Sequence, residues 1–575
     1  MTGGVDPPAE SGALAALRAR ARTWIAGDPD PGTRRALSEA VEAGDAEELT
    51  HALAAPLRFG TAGLRGPVGP GPARMNRATV IRVSHGLAQH VRTTVGEDRP
   101  VVVGFDARPD SARFARDAVG VLCAAGLPVA AFDRPVPTPV VAHAARVAAA
   151  AAAVVVTASH NPPADNGYKV YGPDAIQIVP PDDRAIAQAA ETAPAASEVP
   201  RADPGDARVR ILGEPDLERY LADVLRVRPQ MRGPAPRVVY TPLHGVAGEL
   251  ATRALAAAGY GDVHVVAAQQ EPDGTFPTVA SPNPEESGVL DRALTLAGDV
   301  DADLVLANDP DGDRLAVAVP DPRGGHRILT GNQIGVLLGD HLLRHTDAAR
   351  PVVASSVVSS PMFAEVAAAH GARHEVTHTG FKWICRAAVT VARDESGEAL
   401  FGYEEALGYA VGTAVLDKDG ISAAVTMADL VCDLAGAGLG VLDRLDELYR
   451  HHGLWVSCQH GVALEAGDGP SRIAEALDAV SGVAGGRLGG RRVLRVEDHR
   501  RLEEGPAWRG PAELVEVALE GGGRALLRPS GTEAKVKVYV DLRTERSGSL
   551  AAQEARLLAQ ADRVAQDLVS LSSLG

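Results

Sequence analysis

The sequence has 575 residues, of which 45% are hydrophobic and 23% are charged, and its formal net charge is −17 at pH 7. A chain of this length and composition is too long for one hydrophobic core, so we expect a soluble protein of several domains and exclude a largely disordered one. The acidic balance argues against nucleic-acid and membrane partners, because both select a basic surface. The N-terminus shows no basic stretch followed by an apolar run, so the predicted location is the cytoplasm.

The first predicted elements are two helices over residues 11–26 and 35–55, followed by a turn-rich segment, 59–66, that could form a functional loop. Apolar runs of strand length then alternate with amphipathic helical stretches, which is the pattern of an α/β layer. The predicted strands are 101–105, 129–132, 153–157, 237–240, 263–266, 304–307 and 352–355, and the helices between them include 111–125, 140–150 and 361–370. From about residue 454 the character of the sequence changes to alternating strand-like runs, such as 492–496 and 514–519. This change indicates a separate C-terminal α+β domain.

Ser159 lies in the segment Thr157-Ala-Ser-His-Asn-Pro162, directly after a predicted strand. Open α/β sheets bind their ligands beyond the carboxyl ends of the strands, so this serine is well placed to react. The local sequence leaves open that it is an incidental serine in a tight connection. A serine hydrolase is disfavoured because the chain contains no G-x-S-x-G elbow.

Three carboxylates alternate in Asp309-Pro-Asp-Gly-Asp-Arg314, again after a predicted strand. Residues two apart in an extended loop project to the same side, so the three can converge on a hard divalent cation such as Mg²⁺. The alternative is a solvated acidic turn.

Two later segments also combine residues that could bind a ligand. Arg528-Pro-Ser-Gly-Thr-Glu533 offers a guanidinium, two hydroxyls and a glycine, which is the composition of a phosphate clamp, although a six-residue turn of this kind could also be a plain surface loop. Tyr403-Glu-Glu-Ala-Leu-Gly408 places two acids in an apolar stretch, where they could bind sugar hydroxyls or favour a helix start. The chain has only five lysines among 57 basic residues, which makes them candidates for positions where an always-charged arginine will not serve: Lys169, Lys382, Lys418, Lys535 and Lys537.

The ordered set of motifs (157–162, 309–314, 403–409, 417–420 and 528–533) resembles that of the α-D-phosphohexomutases. Segments 63–66, 241–248, 281–285 and 378–383 extend the likeness. The resemblance implies an α/β fold of four domains: three similar α/β domains with mixed sheets and a C-terminal α+β phosphate-binding domain, around a central cleft. We place these domains at 1–208, 209–322, 323–450 and 451–575.

In this family the serine is phosphorylated in the resting enzyme, and three aspartates hold Mg²⁺ together with that phosphate. The matching residues are Ser159, Asp309, Asp311 and Asp313. The resemblance further implies a catalytic set that adds Arg65, His160, Lys169 and Lys418 to the serine. It implies a substrate-binding set of Arg314, Thr379, Gly380, Lys382, Glu404, Glu405, Arg528, Ser530, Gly531 and Thr532.

Two positions depart from the family pattern. Ala406 replaces the usual serine of the sugar loop, and Tyr409 stands where many phosphomannomutases have histidine. With the segment Asp417-Lys-Asp-Gly420 present, these departures favour the phosphoglucomutase-2-like branch, which also contains phosphopentomutases.

The resulting prediction is a mutase that interconverts hexose 1- and 6-phosphates, with glucose ahead of mannose, through a phosphoserine enzyme and a sugar 1,6-bisphosphate that also serves as primer. Lys169 is the first candidate general base, since Mg²⁺ and arginine beside it would lower its pKa, and His160 is the second. A phosphopentomutase, an aspartyl-phosphate mechanism at Asp309 and a catalytically silent sugar-phosphate-binding protein stay open. The expected partner is a small-molecule sugar phosphate, and the expected assembly is a monomer or a small homo-oligomer.

Overall fold

The computed structural model describes residues 12–58, 63–203, 205–226, 228–229, 231, 233–463, 470–503, 505–529 and 535–572. Within these ranges the chain forms four β-sheets in succession, each accompanied by helices. Three of the sheets mix parallel and antiparallel strands, and the fourth is antiparallel throughout its described pairs. The predicted fold class, α/β with four domains and mixed sheets, is confirmed.

Three helices precede the first sheet: α1 (Gly12–Gly27), α2 (Pro31–Ala43) and α3 (Ala46–Ala52). The prediction of one helix over 35–55 is therefore wrong. Gly44 ends α2 in the left-handed region with φ 69°, and the Asp45 side chain accepts a hydrogen bond from the Glu48 N–H at the start of α3. A glycine cap followed directly by an aspartate cap divides the stretch into two helices.

The first sheet has the strand order β1-β5-β4-β2-β3-β6, with β1 and β5 antiparallel to their neighbours and the others parallel. Its central strands are continuous apolar runs that are buried on both faces, as parallel strands between helices require. Residues 64–67, expected to belong to a loop, form β1 because they pair with β5. The elements are β1 (Leu64–Pro67), α4 (Arg77–Thr94), β2 (Val101–Phe105), α5 (Ser111–Ala124), β3 (Val129–Phe132), α6 (Thr138–Val147), β4 (Ala152–Val156), β5 (Asp165–Tyr171), α7 (Asp182–Glu191) and β6 (Val209–Leu212).

The second sheet has the order β11-β10-β9-β7-β8, in which β7, β8 and β9 are parallel and β10 and β11 are antiparallel. The elements are α8 (Glu214–Arg226), β7 (Val238–Thr241), α9 (Gly248–Ala257), β8 (Val263–Val265), α10 (Asp291–Asp299), β9 (Leu304–Asn308), β10 (Leu315–Pro320) and β11 (His326–Ile328). The domain boundaries stay predictions. Strands β6 and β11 lie just beyond the predicted boundaries at 208 and 322.

The third sheet has the order β13-β12-β14-β15 and the fourth the order β16-β21-β20-β19-β18-β17. The segment of the chain that forms the third sheet and its helices comprises α11 (Gly331–His345), β12 (Pro351–Ser356), α12 (Met362–Ala369), β13 (Arg373–Thr377), α13 (Phe381–Asp394), β14 (Glu398–Glu404), β15 (Gly408–Val411), α14 (Gly420–Gly436) and α15 (Val441–His452). The segment that forms the fourth sheet and its helices comprises β16 (Leu454–Ala463), α16 (Pro470–Ser481), β17 (Arg487–Leu488), β18 (Arg491–Asp498), β19 (Val515–Leu519), β20 (Gly523–Pro529), β21 (Lys535–Thr544) and α17 (Leu550–Leu571).

The contacts group the chain into two units. The first comprises Met1–Arg219, His244–Val246 and Pro272–Asn283, and the second comprises Tyr220–Leu243, Ala247–Glu271 and Pro284–Gly575. The first unit thus includes two short segments, His244–Val246 and Pro272–Asn283, that follow the last strand of the first sheet in sequence. In the part of the chain that the structure describes, no single helix is long and apolar enough to cross a membrane, and α14 and α15 reach that length only as a pair bent by 86°.

Candidate active site

In the first unit, Ser159 lies in the loop that leaves β4, and its backbone is in the left-handed region with φ 51°. Few residues other than glycine adopt this conformation, and those that do cluster at functional sites. The Ser159 N–H donates to Thr157 Oγ1 at 2.9 Å, and Ser159 Oγ lies 3.2 Å from His160 Nδ1. The loop therefore fixes the serine with its hydroxyl beside an imidazole.

Arg108 holds this loop from behind, a role that the sequence did not indicate. Its guanidinium donates to the carbonyl oxygens of Ser159 at 2.7 Å, Asn161 at 2.6 Å, Pro162 at 2.7 Å and Asp165 at 2.9 Å. The arginine is buried, and its hydrogen bond to the Ser159 carbonyl is buried as well. A single side chain thus sets the path of the whole segment around Ser159.

The position of Arg108 is itself supported on two sides. Its Nε lies 3.3 Å from Oδ2 of the buried Asp106, and its guanidinium stands 5.2 Å from the centre of the Phe276 ring. Burial raises the pKa of Asp106, and the charge of Arg108 opposes that shift. A Cβ at Gly274 would come within 2.4 Å of the Arg108 Cα, so glycine is required where this segment passes. The usable signal in the sequence was an Asp-x-Arg pair directly after β2, at the same sheet edge as the serine.

Arg65 and Lys169 reach the same region from neighbouring strands. Arg65 on β1 is paired with Gly167 on β5, and its Nη1 donates to Asn161 Oδ1 at 3.2 Å. A Cβ at Gly167 would lie 2.5 Å from the Thr157 carbonyl oxygen, so only glycine allows β5 to approach the serine loop so closely. Lys169 follows on β5 and is buried. The structure therefore brings Ser159, Arg65 and Asn161 together and places Lys169 on the adjoining strand.

In the second unit, Asp309, Asp311 and Asp313 occupy the tight connection between the antiparallel strands β9 and β10. All three carboxylates are fully buried, and one oxygen from each lies within 4.8 Å of the others. Gly312 turns the loop with φ 71°, and its N–H donates to the Asp309 carbonyl at 2.9 Å. The predicted convergence of the three side chains is present.

This group of ligands fits Mg²⁺. Burial raises the pKa of Asp309, and the charges of Asp311 and Asp313 raise it further, so the three anions repel one another unless a cation joins them. Carboxylate oxygens without nitrogen or sulfur ligands are the donors that hard cations prefer.

Arg314 connects the aspartate loop to the sugar loop, 403–409. Its N–H donates to Asp309 Oδ1 at 3.0 Å, and its Nη1 donates to the Ala406 carbonyl at 2.9 Å. The same Nη1 lies 3.5 Å from Glu285 Oε2. Ala406, which replaces the family's serine, thus accepts a hydrogen bond from Arg314 through its backbone oxygen.

Lys418 supplies a second cation to the aspartate loop. Its Nζ lies 3.2 Å from Asp313 Oδ2 and 3.7 Å from Asp417 Oδ1. Burial opposes the charge of Lys418, but Asp313 and Asp417 outweigh it and raise the pKa of the lysine. Lys418 therefore acts here as a fixed positive charge.

Within the sugar loop, Glu404 ends β14 and Glu405 follows it. Burial raises the pKa of Glu405 to about 8, the charge of Glu404 adds to this effect, and Lys537 and Arg528 oppose it. Ser356 Oγ donates to Glu405 Oε2 at 3.3 Å. Tyr409, which stands where many phosphomannomutases have histidine, is fully buried and its hydroxyl donates to the Gly331 carbonyl at 3.3 Å, so its side chain packs in the interior.

The segment that holds Thr379 and Gly380 connects β13 to α13. Gly380 precedes the helix with φ 107°, and Lys382 in the first turn is buried with its Nζ 5.9 Å from the centre of the Trp383 ring. Trp508, which sequence reasoning missed, fixes this segment by accepting the His378 N–H at its carbonyl, 2.9 Å away. Its indole N–H also donates to Glu375 Oε2 at 3.3 Å.

The predicted phosphate clamp, 528–533, is only partly described. Arg528 lies at the end of β20, and its Nε donates to the Pro529 carbonyl at 3.2 Å. The other predicted residues of the clamp, Ser530, Gly531 and Thr532, lie outside the described residues.

Four family models match the chain in order. They are the phosphoglucomutase/phosphomannomutase alpha/beta/alpha domain I over residues 56–196, domain II over 218–324, domain III over 330–450, and the C-terminal domain over 489–558. Together they take up more than half of the chain.

Individual relatives match over most of their length. A protein of Haemophilus influenzae named "Probable phosphomannomutase" is 38% identical over 479 residues, which are 82% of this chain and 93% of the relative. A phosphopentomutase of Mus musculus is 33% identical over 590 residues, 93% of this chain and 92% of the relative. The crystal structure of a phosphoglucomutase/phosphomannomutase family protein from Burkholderia thailandensis superposes with a TM-score of 0.65 at 20% identity, covering 89% of this chain and 97% of that chain, which shows a shared fold.

Proposed function

Because the chain belongs to the phosphoglucomutase/phosphomannomutase family, we propose that it interconverts hexose 1-phosphates and hexose 6-phosphates, with glucose phosphate as the preferred substrate. The chain is a phosphomutase, an isomerase that moves a phosphoryl group within one sugar phosphate. The observation that carries the proposed mechanism is the left-handed, buried Ser159 with its hydroxyl beside His160.

In the proposed reaction, phosphorylated Ser159 donates its phosphoryl group to the free hydroxyl of a sugar monophosphate. The bond between Ser159 Oγ and phosphorus breaks while a bond from the sugar oxygen to phosphorus forms. The proton of the sugar hydroxyl passes to a general base, and Ser159 Oγ takes up a proton as it leaves. The resulting bisphosphate then returns its other phosphoryl group to Ser159. Lys169 and His160 are the candidate bases, and the contact of His160 with Ser159 Oγ supports a proton relay at that atom.

Positive charge is the main catalytic requirement, because phosphoryl transfer depends on positioning and charge neutralisation. Asp309, Asp311 and Asp313 would hold Mg²⁺, which when bound supplies that charge to the phosphoryl oxygens. Arg314 orients the aspartate loop through its hydrogen bond to Asp309, and Lys418 adds a cation at Asp313. A sugar 1,6-bisphosphate is the proposed primer, since it would restore the phosphate on Ser159 after loss to water.

A phosphopentomutase is the second candidate. The relative from Mus musculus carries that name, and Ala406 lacks the hydroxyl that the family's serine would offer to a hexose. The burial of Tyr409 removes it as an argument for either sugar.

The test combines a substrate panel with labelling of the serine. Purified protein with Mg²⁺ is assayed on the 1-phosphates of glucose, mannose and ribose, each primed with glucose 1,6-bisphosphate. We expect the highest kcat/KM with glucose 1-phosphate and a loss of at least about 10³-fold in Ser159→Ala. Incubation with phosphorus-labelled bisphosphate should then place the label on the Ser159 peptide.

Ser38→Ala is the matched control, because Ser38 is a partly exposed serine of α2 whose hydroxyl bonds only to the Arg34 carbonyl among its described partners. It should keep full activity and labelling. Label on Asp309 would indicate the aspartyl-phosphate mechanism, and near-normal turnover by Ser159→Ala would refute the phosphoserine mechanism. A higher kcat/KM with ribose 1-phosphate would replace the hexose assignment by the pentose one.

A further inference from the structure

A second group of potential metal ligands lies in the third domain, away from the aspartate loop. His341 and His345 are one helical turn apart on α11, so their side chains share one face of the helix. Asp433 reaches the same place from α14. One ligand atom from each residue lies within 4.8 Å of the others.

His341 is the unusual member of this cluster. Its side chain is fully buried, and neither ring nitrogen has a hydrogen-bond partner among the described residues. A buried imidazole without a partner is costly and therefore uncommon, so it calls for a ligand. Burial lowers the pKa of His341 to about 3, which keeps the ring neutral, and neutral imidazole is the form that binds metals.

The other two members can adjust to an ion. The side chains of His345 and Asp433 are each 28% exposed, which gives an ion and a water molecule access from the solvent side. His345 Nε2 lies 3.2 Å from Asp433 Oδ2. Ligand atoms in a tetrahedral zinc site are about 3.3 Å apart, so modest side-chain rotations would close the cluster around an ion.

The charged side chains around the cluster leave Asp433 available to bind an ion. Arg344 Nη1 donates to Asp433 Oδ2 at 3.1 Å and competes for the carboxylate. However, Arg344 has a second acceptor, since its Nε donates to Asp340 Oδ2 at 3.2 Å. Asp340 is also held by Arg444 at 2.8 Å and faces His370 at 3.2 Å. Arg344 can therefore release Asp433 without becoming an unpaired buried charge.

We propose that His341, His345 and Asp433 form a zinc-type site that ties the end of α11 to α14. Two imidazole nitrogens and one carboxylate oxygen suit Zn²⁺ or Co²⁺ and suit Mg²⁺ poorly. The site is separate from the aspartate loop. The start of α14 touches the aspartate loop, because the N–H of Gly420 donates to the Gly312 carbonyl at 3.2 Å. Asp433 lies fourteen residues after the N-cap Asp419, which is roughly 20 Å further along the helix.

The experiment uses the full chain, freed of metal with a chelator and then saturated with Mg²⁺ to fill the aspartate loop. Addition of Co²⁺ alone should give the intense visible absorption of four-coordinate cobalt at one equivalent. Addition of Zn²⁺ at about 100 times its Kd should raise the melting temperature by about 5 to 10 °C. Both effects should persist in Asp311→Asn, which damages the aspartate loop.

His345→Ala and Asp433→Asn should each weaken Zn²⁺ binding by at least about 100-fold and remove the cobalt absorption. His451→Ala, which removes an exposed histidine of α15, should bind metal as the wild type does. The proposal fails if the wild type binds Zn²⁺ more weakly than about 1 mM. It also fails if the cobalt spectrum and the Zn²⁺-dependent melting shift are unchanged in Asp433→Asn.

Discussion

Lys418 Nζ lies 3.2 Å from Asp313 Oδ2, so a lysine stands against a loop that carries three fully buried carboxylates. In the absence of a metal ion, this ammonium group forms an ion pair with Asp313. The stability of the metal-free protein should therefore depend on Lys418.

We predict that Lys418→Met lowers the metal-free protein's free energy of unfolding by about 3 kcal/mol, because buried carboxylates lose their charge partner. Mg²⁺ should restore more stability in the variant than in the wild type, and its affinity should rise because no ammonium repels it. Urea unfolding with and without Mg²⁺ measures both effects. Arg393→Met, which removes an exposed cation of α13, is the control, and equal Mg²⁺ dependence of all three proteins would contradict the prediction.

Gly420→Ala should disturb the aspartate loop from outside. A Cβ at this position would lie 2.2 Å from the Arg314 carbonyl oxygen and 2.4 Å from Asn308 Nδ2. The loop must shift to admit it, so we expect a loss of about 1 to 3 kcal/mol of stability and at least tenfold weaker Mg²⁺ binding. Titration calorimetry with Mg²⁺ provides the measurement.

Gly298→Ala is the matched control for that change, because Gly298 lies in α10 with no atom within 4 Å of an added Cβ. It should be neutral or stabilising by about 0.5 to 1 kcal/mol. If Gly420→Ala bound Mg²⁺ as tightly as Gly298→Ala, the close packing of α14 against the loop would have no bearing on the metal.

Arg108→Lys should slow the phosphorylation of Ser159. Lysine cannot reach four carbonyl oxygens at once, so the loop loses its fixed path, while the charge beside Asp106 is kept. A displacement of about 1 Å costs on the order of 100-fold in rate, and we expect a loss of 10- to 100-fold in the rate of labelling by glucose 1,6-bisphosphate. Arg116→Lys, an exposed arginine of α5, should label at the normal rate, and equal rates for both variants would show that Arg108 does not position the serine.

Stability should fall as the pH decreases from about 6.5 to 4, in part because of His374. Burial, followed by the charge of Arg373, lowers the pKa of His374 to about 4, so between these pH values the unfolded chain binds a proton that the folded chain does not. The expected loss is about 2 to 3 kcal/mol over this range, and the contribution of this residue levels off about one pH unit below 4. His374→Gln should reduce the slope of unfolding free energy against pH, and an unchanged slope would contradict the prediction.

The aspartate loop and the serine loop could be predicted because local spacing determines them. The three carboxylates of Asp309-Pro-Asp-Gly-Asp lie close together in sequence within one short connection between strands, although that connection is a tight turn and not the expected extended loop, and a serine that follows an apolar strand lies at a ligand-binding edge. Their surroundings could not be predicted. Arg108 bonds to residues more than 50 positions away, and Trp508 fixes a segment more than 100 positions before it.

Strand β5 shows a second limit of sequence reasoning. Its sequence, Asp165–Tyr171, contains a glycine and a lysine and begins with two turn-forming residues, so local propensity favours a loop. Tertiary pairing with β1 and β4 overrides that propensity. The place of Tyr409 in a motif likewise does not indicate that its side chain is buried and bonds to the Gly331 carbonyl.

The first unit includes His244–Val246 and Pro272–Asn283, which come from well after its own sheet in the chain. Phe276 covers the Arg108 guanidinium, and Gly274 passes close to the Arg108 backbone. A recombinant fragment or a proteolytic product that stops near residue 208 would retain Ser159 but lack the segments that complete its supporting shell. Domain-by-domain dissection of this chain therefore has to preserve chain continuity through residue 283.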